Sequence, residues 1–425
     1  MPSQFSRSLF NRLVDDPDRD GGLEAAPLKA EPANFLRHIV GLAATKSADG
    51  LIDPKLVLSW LLNHLGAGAF YAGLLVPVRE AGALLPQIFT AALIHERGRR
   101  KWVWALGAAV QGLAAGGIAL AGLRLEGAVA GMVIVALLAV LAVARSACSV
   151  AYKDVLGKTI GQSRRGTVTG TASTIGSAAV VIFALMLLFI SVDRYALVEV
   201  AIGLAAIGWI LGAVMMALMV EEDDGGTGES GLPNPWTLMR EDRQLRLFVI
   251  ARSLLVGTAL APPYLVLLAA KGSQDFAELG GLVLASSVAA VLSAYIWGRL
   301  SDRSSRRVLI YAGLAAAVAL ALALGLNASG LAQTVWAMPL VLFCLMLAYH
   351  GVRQGRSTHL VDMSGPGERA DYTAVSNTVV GLFLLIAGAG AAALGSVSVP
   401  LVIGVFLVMS VAGAWIATKL TEVQT

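Results

Sequence analysis

No aspartate, glutamate, lysine or arginine occurs between Tyr372 and Thr418, where the chain reads YTAVSNTVVGLFLLIAGAGAAALGSVSVPLVIGVFLVMSVAGAWIAT. A second run without these four residue types extends from Val308 to Val352. A helix on the surface of a soluble domain needs a polar face, whereas a helix that crosses a bilayer needs about 20 mostly apolar residues. Each run is long enough for two such helices, so the sequence predicts a membrane protein.

The composition of the whole chain leads to the same class. Of its 425 residues, 57% are hydrophobic and 14% are charged, against roughly 25% charged residues in soluble domains. The alternation of apolar and polar residues that a membrane β-barrel needs is absent from the sequence, which favours helices. The net charge of +4 therefore does not indicate a nucleic-acid-binding protein, and a soluble enzyme is excluded. Because the sequence contains no phosphate-binding glycine loop, zinc-ligand spacing or Ser/His/Asp arrangement, we expect no metal site and no enzyme activity.

The apolar residues account for twelve membrane-crossing helices in two groups of six. The expected spans are 36–63, 70–94, 101–123, 127–150, 166–191, 195–220, 244–270, 277–299, 307–327, 333–355, 371–395 and 398–419. The first two depend on a turn near His64 to Ala69. We therefore predict an all-α polytopic membrane protein made of a flexible cytoplasmic tail (1–35), an N-terminal six-helix bundle (36–220), a Gly- and Pro-containing cytoplasmic linker (221–243) and a C-terminal six-helix bundle (244–420).

Charged loops occur at corresponding places in the two groups of helices. One loop reads GRLSDRSSRR from Gly298 to Arg307, and the other reads AALIHERGRR from Ala91 to Arg100. Gly298 follows Ala91 by 207 residues, and Asp362 follows Asp154 by 208 residues. Two halves with matching charged turns are typical of transporters built from repeated bundles.

The run from Gly298 to Arg307 resembles the loop signature of the major facilitator superfamily. In that signature, a glycine, an aspartate four residues later and paired basic residues mark the cytoplasmic turn between the second and third helices of each half. The first copy is degenerate, because Ala91 replaces the glycine, and His95 and Glu96 replace the aspartate. The resemblance implies the superfamily's fold, with no subfamily assigned, and a cytoplasmic gating motif. Its residues here are Gly298, Asp302, Arg303, Arg306 and Arg307, with Gly98, Arg99 and Arg100 as the first-half counterpart.

Basic residues are concentrated in alternate turns, which indicates the orientation of the chain. The turns near Arg97, Lys153, Arg240, Arg303 and Arg369 carry most of them, whereas the opposite turns carry few. By the positive-inside rule, the basic turns and both termini are expected in the cytoplasm. The expected location is the cytoplasmic (inner or plasma) membrane.

Charged residues also fall inside the predicted spans, where each is expected to face a partner or a water-filled cavity. Lys46, Asp49 and Asp53 follow one stripe of the first helix, and Asp53 precedes Pro54, which loosens that helix. The candidates for substrate or ion-pair contacts are Lys46, Arg79, Arg145, Arg252 and Arg353. The candidates for proton coupling are Asp49, Asp53 and Glu80.

Two interpretations of these charges stay open at the level of sequence. In one, they pair only to stabilise the fold, with Lys46 on Asp49, Arg79 on Glu80 or Asp53, and Arg145 on Glu80. In the other, the basic residues bind a substrate while a carboxylate takes up a proton.

The function expected from the second interpretation is secondary active transport of a small solute by alternating access. An organic anion is the preferred class, and coupling to a proton or another ion is expected, with no other cofactor. The alternatives are a drug or metabolite efflux permease of the same fold and a non-transporting assembly or sensor protein. The expected partners are the lipid bilayer and a small-molecule substrate, with no nucleic acid, and the protein is expected to be a monomer.

Overall fold

The computed structural model describes residues 4–14, 23, 25–86, 98–161, 164–190, 193–223, 235–270, 277–364 and 369–424. Within these ranges, every regular element is a helix. The first half contains α1 (Gln4–Leu13), α2 (Ala25–Leu51), α3 (Val57–His64), α4 (Ala69–Leu84), α5 (Lys101–Arg124), α6 (Gly127–Thr159), α7 (Arg165–Phe189) and α8 (Arg194–Ala217).

The second half repeats this order. It contains α9 (Pro235–Glu241), α10 (Arg243–Leu254), α11 (Gly257–Leu260), α12 (Pro262–Ala269), α13 (Ala277–Arg303), α14 (Ser305–Ala328), α15 (Ala337–Met363), α16 (Arg369–Val397) and α17 (Val399–Ala417). A single 3₁₀ turn, Leu331–Gln333, precedes α15. Helices α10 to α12 together occupy the place of one long helix.

In the part of the chain that the structure describes, ten helical segments are long and apolar enough to cross a bilayer. They correspond to the third to twelfth expected spans, which confirms a multi-pass helical membrane protein. The first two expected spans coincide with α2 to α4, which carry the charged residues Lys46, Asp49, Arg79 and Glu80. The count of twelve stays a prediction.

The break between α2 and α3 follows from its sequence. Pro54 has no N–H to donate, so the helix that ends at Leu51 does not continue through it. The Asp53 carboxylate accepts the backbone N–H of Lys55 at 2.6 Å, and Ser59 Oγ donates to the carbonyl of Pro54 at 2.8 Å. These bonds hold a charged bend inside the bundle. The predicted turn between His64 and Ala69 is also present, since α3 ends and α4 begins at these residues.

The N-terminal segment differs from the expected flexible tail. Residues 4–13 form α1, and α2 begins at Ala25, well before the expected start at residue 36. Phe10 is buried, and its ring meets that of Phe35 edge-on at 5.2 Å between centroids. This apolar contact anchors α1 against α2.

The two halves touch through α4 against α16 and α7 against α13. A Cβ on Gly73 of α4 would lie 2.9 Å from Cα of Ala392, and a Cβ on Gly388 of α16 would lie 2.0 Å from Cγ of Pro77. Glycine therefore permits the close approach of the helices. Gly73 and Ala392 lie near the membrane side that holds the α3–α4 turn, which we call the turn side. The opposite side, which holds both chain ends, is called the terminal side.

Candidate functional site

Three helices of the first half meet at Asp49. Its Oδ1 accepts a hydrogen bond from Nη2 of Arg79 at 2.8 Å, and its Oδ2 is paired with Nη1 of Arg145. The carboxylate and both guanidiniums were predicted site residues. Their partners differ from those considered above. Asp49 is ion-paired with Arg79 and Arg145 rather than with Lys46, and it joins α2, α4 and α6.

A second charged group connects the halves. Nζ of Lys55 lies 3.6 Å from Oε1 of Glu80 and 4.0 Å from the ring centroid of Tyr349 on α15. Lys55 and Tyr349 were missed in the sequence. Lys55 follows Asp53 by two residues, so a full inventory of charges in the first span would have found it. The cation–π contact with Tyr349 required knowledge of the packing.

The partners of Arg252 differ from those of Arg79 and Arg145 in the first half. Its side chain is buried, and Nη1 and Nη2 donate to Oγ of Ser376 at 2.6 Å and Oδ1 of Asn377 at 2.9 Å. Both acceptors are neutral. Among the described side chains, no carboxylate pairs with Arg252.

A small cavity lies between the halves beside Arg252. Its charged and polar walls are Glu80, Arg252, Tyr349, Arg353 and Arg356, and its volume of about 20 Å³ suits roughly one water molecule. Within the described residues, neither Arg353 nor Arg356 makes an ion pair. Guanidinium groups bind carboxylates and phosphates through paired N–H donors, so this cluster is suited to an anion.

A larger cavity of about 220 Å³ lies within the first half. Lys46 and Gln111 contribute polar groups to its wall, and Trp104 and Tyr152 contribute rings. Asp49 and Arg145, already paired, also line it. Lys46 interacts electrostatically with Arg353 of the other half, so the two cavities are neighbours.

Asp53 stands apart from the other two candidate carboxylates. Asp49 and Glu80 are both ion-paired, whereas the Asp53 carboxylate makes no ion pair in the described chain and accepts backbone N–H groups of Lys55 and Leu56. Asp53 is half-buried at the bend between α2 and α3.

The described residues of the gating motif contact their own half. Nη2 of Arg306 donates to the carbonyl of Thr418 at 2.7 Å, and Ser304 Oγ accepts the backbone N–H of Arg307 at 3.1 Å. Arg303 is exposed at the end of α13, and Gly298 has open space where a Cβ would lie. The side chain of Asp302 lies outside the described residues, so the proposed latch stays a prediction.

The first-half counterpart of this motif contacts residues of the first half and of the start of the linker. Arg100 is buried and pairs with Asp154, and the carbonyl of Gly98 accepts Nζ of Lys158 at 3.1 Å. Arg99 lies 3.5 Å from Asp223 at the surface.

No family profile matches the chain, and no curated protein matches it. Solved structures do match. The chain is similar to a nucleoside transporter, NupG in its D323A form, with 12% identity, a TM-score of 0.70, and coverage of 91% of this chain and 99% of that one. It is also similar to a D-xylose-proton symporter, with 13% identity, a TM-score of 0.66, and coverage of 92% and 98%.

A third similar structure is a POT family transporter in complex with a thioalcohol-conjugated peptide. Its identity is 11%, its TM-score is 0.68, and the match covers 93% of this chain and 97% of that one. At such low identity, the likeness establishes the fold. The chain is therefore a multi-pass helical membrane protein that shares the fold of these transporter structures.

Proposed function

We propose that the protein is a secondary active transporter that moves a small organic anion across the cytoplasmic membrane by alternating access. The substrate site lies between the halves, at the cluster of Arg252, Arg353 and Arg356. The proposed orientation places the terminal side in the cytoplasm, as the distribution of basic turns predicts.

The observation that carries this proposal is the lack of carboxylate partners for the second-half arginines within the described residues. A buried cation without a counter-ion is costly, so each intramembrane charge needs a partner or water. The carboxylates of the first half are already engaged, with Asp49 on two guanidiniums and Glu80 on Lys55. Glu80 is the carboxylate nearest to these arginines, and it is shared with Lys55, so a substrate anion supplies the counter-charge that one carboxylate leaves unbalanced.

The packing between the halves supports alternating access. On the turn side, α4 lies close against α16 through Gly73 and Gly388. An anion held between Arg252 and the Lys55–Glu80 pair would touch both halves, and the affinity difference between two arrangements of the halves would drive their exchange.

Asp53 is the carboxylate that we propose for proton coupling. Protonation of Asp49 or Glu80 would break an ion pair, whereas protonation of Asp53 would not. Because Asp53 holds the bend between α2 and α3, a change in its charge acts where these two helices join. A transport rate that does not depend on pH would contradict this part of the proposal.

The test is a thermal-shift screen of the purified protein against organic anions, organic cations and sugars, followed by uptake measurements in proteoliposomes. We expect stabilisation by anions, and transport of the anion that stabilises most. The variant Arg252→Gln should weaken anion affinity about tenfold or more, because it removes charge-assisted hydrogen bonds.

The matched control is Arg243→Gln, which lies on the same helix but is exposed. It should leave anion affinity unchanged. Stabilisation confined to cations, or equal anion affinity in the Arg252→Gln and parent proteins, would overturn the proposal. Absence of both anion binding and transport in the purified parent protein would favour a non-transporting protein.

A further inference from the structure

The larger cavity of the first half holds polar groups that the proposed anion site does not use. Nε2 of Gln111 donates to the carbonyl of Gly107 at 3.2 Å and to Sγ of Cys148 at 3.3 Å. Because the carbonyl of Gly107 only accepts, the amide nitrogen must face it, which leaves Oε1 as the free end of the amide. Gln111 is 3% exposed, and its Oε1 has no hydrogen-bond partner among the described residues.

An unpaired acceptor that is this deeply buried costs free energy, so it points to a missing donor. Gln111 lies in the wall of the cavity, so a bound molecule that displaces the adjoining side chains meets its amide. A group that donates a hydrogen bond, such as an amino or hydroxyl substituent, would satisfy Oε1.

The ammonium group of Lys46 lies on the same wall and is also available to a ligand. Lys46 makes no ion pair or hydrogen bond within the described chain, and its side chain is exposed to the cavity and its surroundings. Asp49 lies one helical turn away, but both of its carboxylate oxygens are engaged by Arg79 and Arg145. The Lys46 ammonium is therefore available to an incoming carboxylate.

The remaining wall selects the shape of the ligand. Trp104 and Tyr152 lie with ring centroids 6.2 Å apart, and Trp209 adds a third aromatic side chain to the lining. Aromatic walls favour a flat apolar group over a hydrated one. In another protein, an engineered apolar cavity of about 150 Å³ binds benzene. The volume of about 220 Å³ therefore holds one six-membered ring with a carboxylate and one small substituent.

We infer that this cavity binds a small aromatic carboxylate whose ring carries a hydrogen-bond donor. The carboxylate contacts Lys46, the donor contacts Oε1 of Gln111, and the ring lies beside Trp104 and Tyr152. The inference rests on the proposed function and narrows its substrate class from small organic anions to aromatic carboxylates.

The test is equilibrium binding to the purified full chain in lipid nanodiscs, measured by titration calorimetry. The probes are 4-aminobenzoate, benzoate, cyclohexanecarboxylate and aniline. We expect 4-aminobenzoate to bind about three- to tenfold more tightly than benzoate, because it alone satisfies Gln111 while keeping the carboxylate. Cyclohexanecarboxylate and aniline should bind more weakly than benzoate.

Two variants separate the contacts. In Gln111→Leu, the affinities for 4-aminobenzoate and benzoate should become equal, while benzoate still binds. The ratio is measured within one variant, so a general loss of stability does not imitate this result. The exposed residue Gln354 provides the control, since Gln354→Leu should leave the ratio unchanged.

Lys46→Met provides a test that does not depend on the folding of the Gln111 variant, because Lys46 is exposed and unpaired in the described chain. It should weaken both aromatic carboxylates about tenfold and leave aniline unchanged. Failure of every carboxylate to bind, or an unchanged ratio in Gln111→Leu, would overturn the inference. Anion transport without aromatic binding would refute this inference alone, whereas binding without transport would refute the proposed function.

Discussion

In the first half of the molecule Asp49 lies between Arg79 and Arg145, whereas in the second half the hydrogen bonds of Arg252 in the described chain go to the neutral groups of Ser376 and Asn377. The ion pairs of the described side chains lie in the first half, and they join its helices at several depths. The second half holds its intramembrane cations through neutral hydrogen bonds or leaves them facing the cavity.

This difference shows that a repeated fold does not imply repeated chemistry. Arg145 and Arg353 stand at corresponding positions of the repeat. Arg145 is ion-paired with Asp49, whereas Arg353 makes no ion pair within the described chain and interacts with Glu80 at longer range. The first half holds most of its intramembrane charges in ion pairs, with Lys46 as an exception. The second half leaves its arginines without ion pairs in the described chain, which is where we propose that an anion binds.

The largest expected effect comes from removing the counter-ion that balances the first half. Asp49→Asn leaves two guanidiniums without a carboxylate, and breaking a buried ion pair costs roughly 3–5 kcal/mol. Because Arg145 is 37% exposed, we expect the lower end, about 3 kcal/mol. The measurement is the thermal unfolding of the purified protein, with Asp223→Asn as the surface control.

Addition of Arg145→Leu to Asp49→Asn should restore part of the lost stability, because it removes one unpaired cation. An Asp49→Asn protein that unfolds at the parent temperature would show that the first half does not depend on its ion pairs.

The second prediction concerns the contact between the halves. Gly388→Ala places a Cβ 2.0 Å from Cγ of Pro77, so α4 and α16 must separate. Overpacking of this kind costs about 2 kcal/mol, which disfavours the arrangement closed on the turn side by roughly 30-fold. The transport rate in proteoliposomes should fall accordingly. Gly390→Ala is the control on the same helix, because nothing lies within 4 Å of its added Cβ.

Equal rates for the Gly388→Ala and Gly390→Ala variants would show that closure on the turn side does not limit transport. The two halves would then move without the close contact seen between Gly388 and Pro77.

The sequence predicted the helical membrane class and the locations of the third to twelfth spans, because the length of an apolar segment can be read from that segment alone. It also placed the site charges on α2, α4, α6, α10 and α15. The pairing of these charges was not predictable. Helical periodicity places Lys46 and Asp49 on one stripe, but only the relative depth and rotation of three helices decides that Asp49 meets Arg79 and Arg145.

Two other features escaped prediction for identifiable reasons. α1 was expected in a flexible tail, because its few apolar residues are followed by a segment rich in aspartate and glycine. The contact of Phe10 with Phe35, which is distant in sequence, stabilises this helix. The unpaired Oε1 of Gln111 was also invisible, since a single glutamine in an apolar span carries no signal of what surrounds it.

The third prediction concerns the contact between Lys55 of the first half and Tyr349 of the second half. Tyr349→Leu removes the ring that Lys55 faces at 4.0 Å, and a desolvated cation–π contact contributes about 1–2 kcal/mol. We expect a loss of about 1 kcal/mol in thermal unfolding, because Lys55 keeps its ion pair with Glu80. Tyr349→Phe retains the aromatic face but loses the hydroxyl that hydrogen-bonds to Lys55, so it should lose less stability than Tyr349→Leu. A loss of the same size in both variants would assign the effect to the hydroxyl group rather than to the ring.

The smallest expected effect tests whether the burial of an ion pair, rather than the number of ion pairs, determines its contribution to stability. Arg99 and Asp223 are separated by 3.5 Å, and their side chains are 55% and 53% exposed. Surface pairs of this kind contribute little because water screens them, so Arg99→Gln should change the free energy of unfolding by less than about 0.5 kcal/mol. The neighbouring Arg100 has a side chain that is only 5% exposed and paired with Asp154, so Arg100→Gln should cost several times more. If thermal unfolding shows the same loss for both variants, the stability of the first half depends on the total charge of this turn. The two halves would then differ in the number of their charges and not in how those charges are paired.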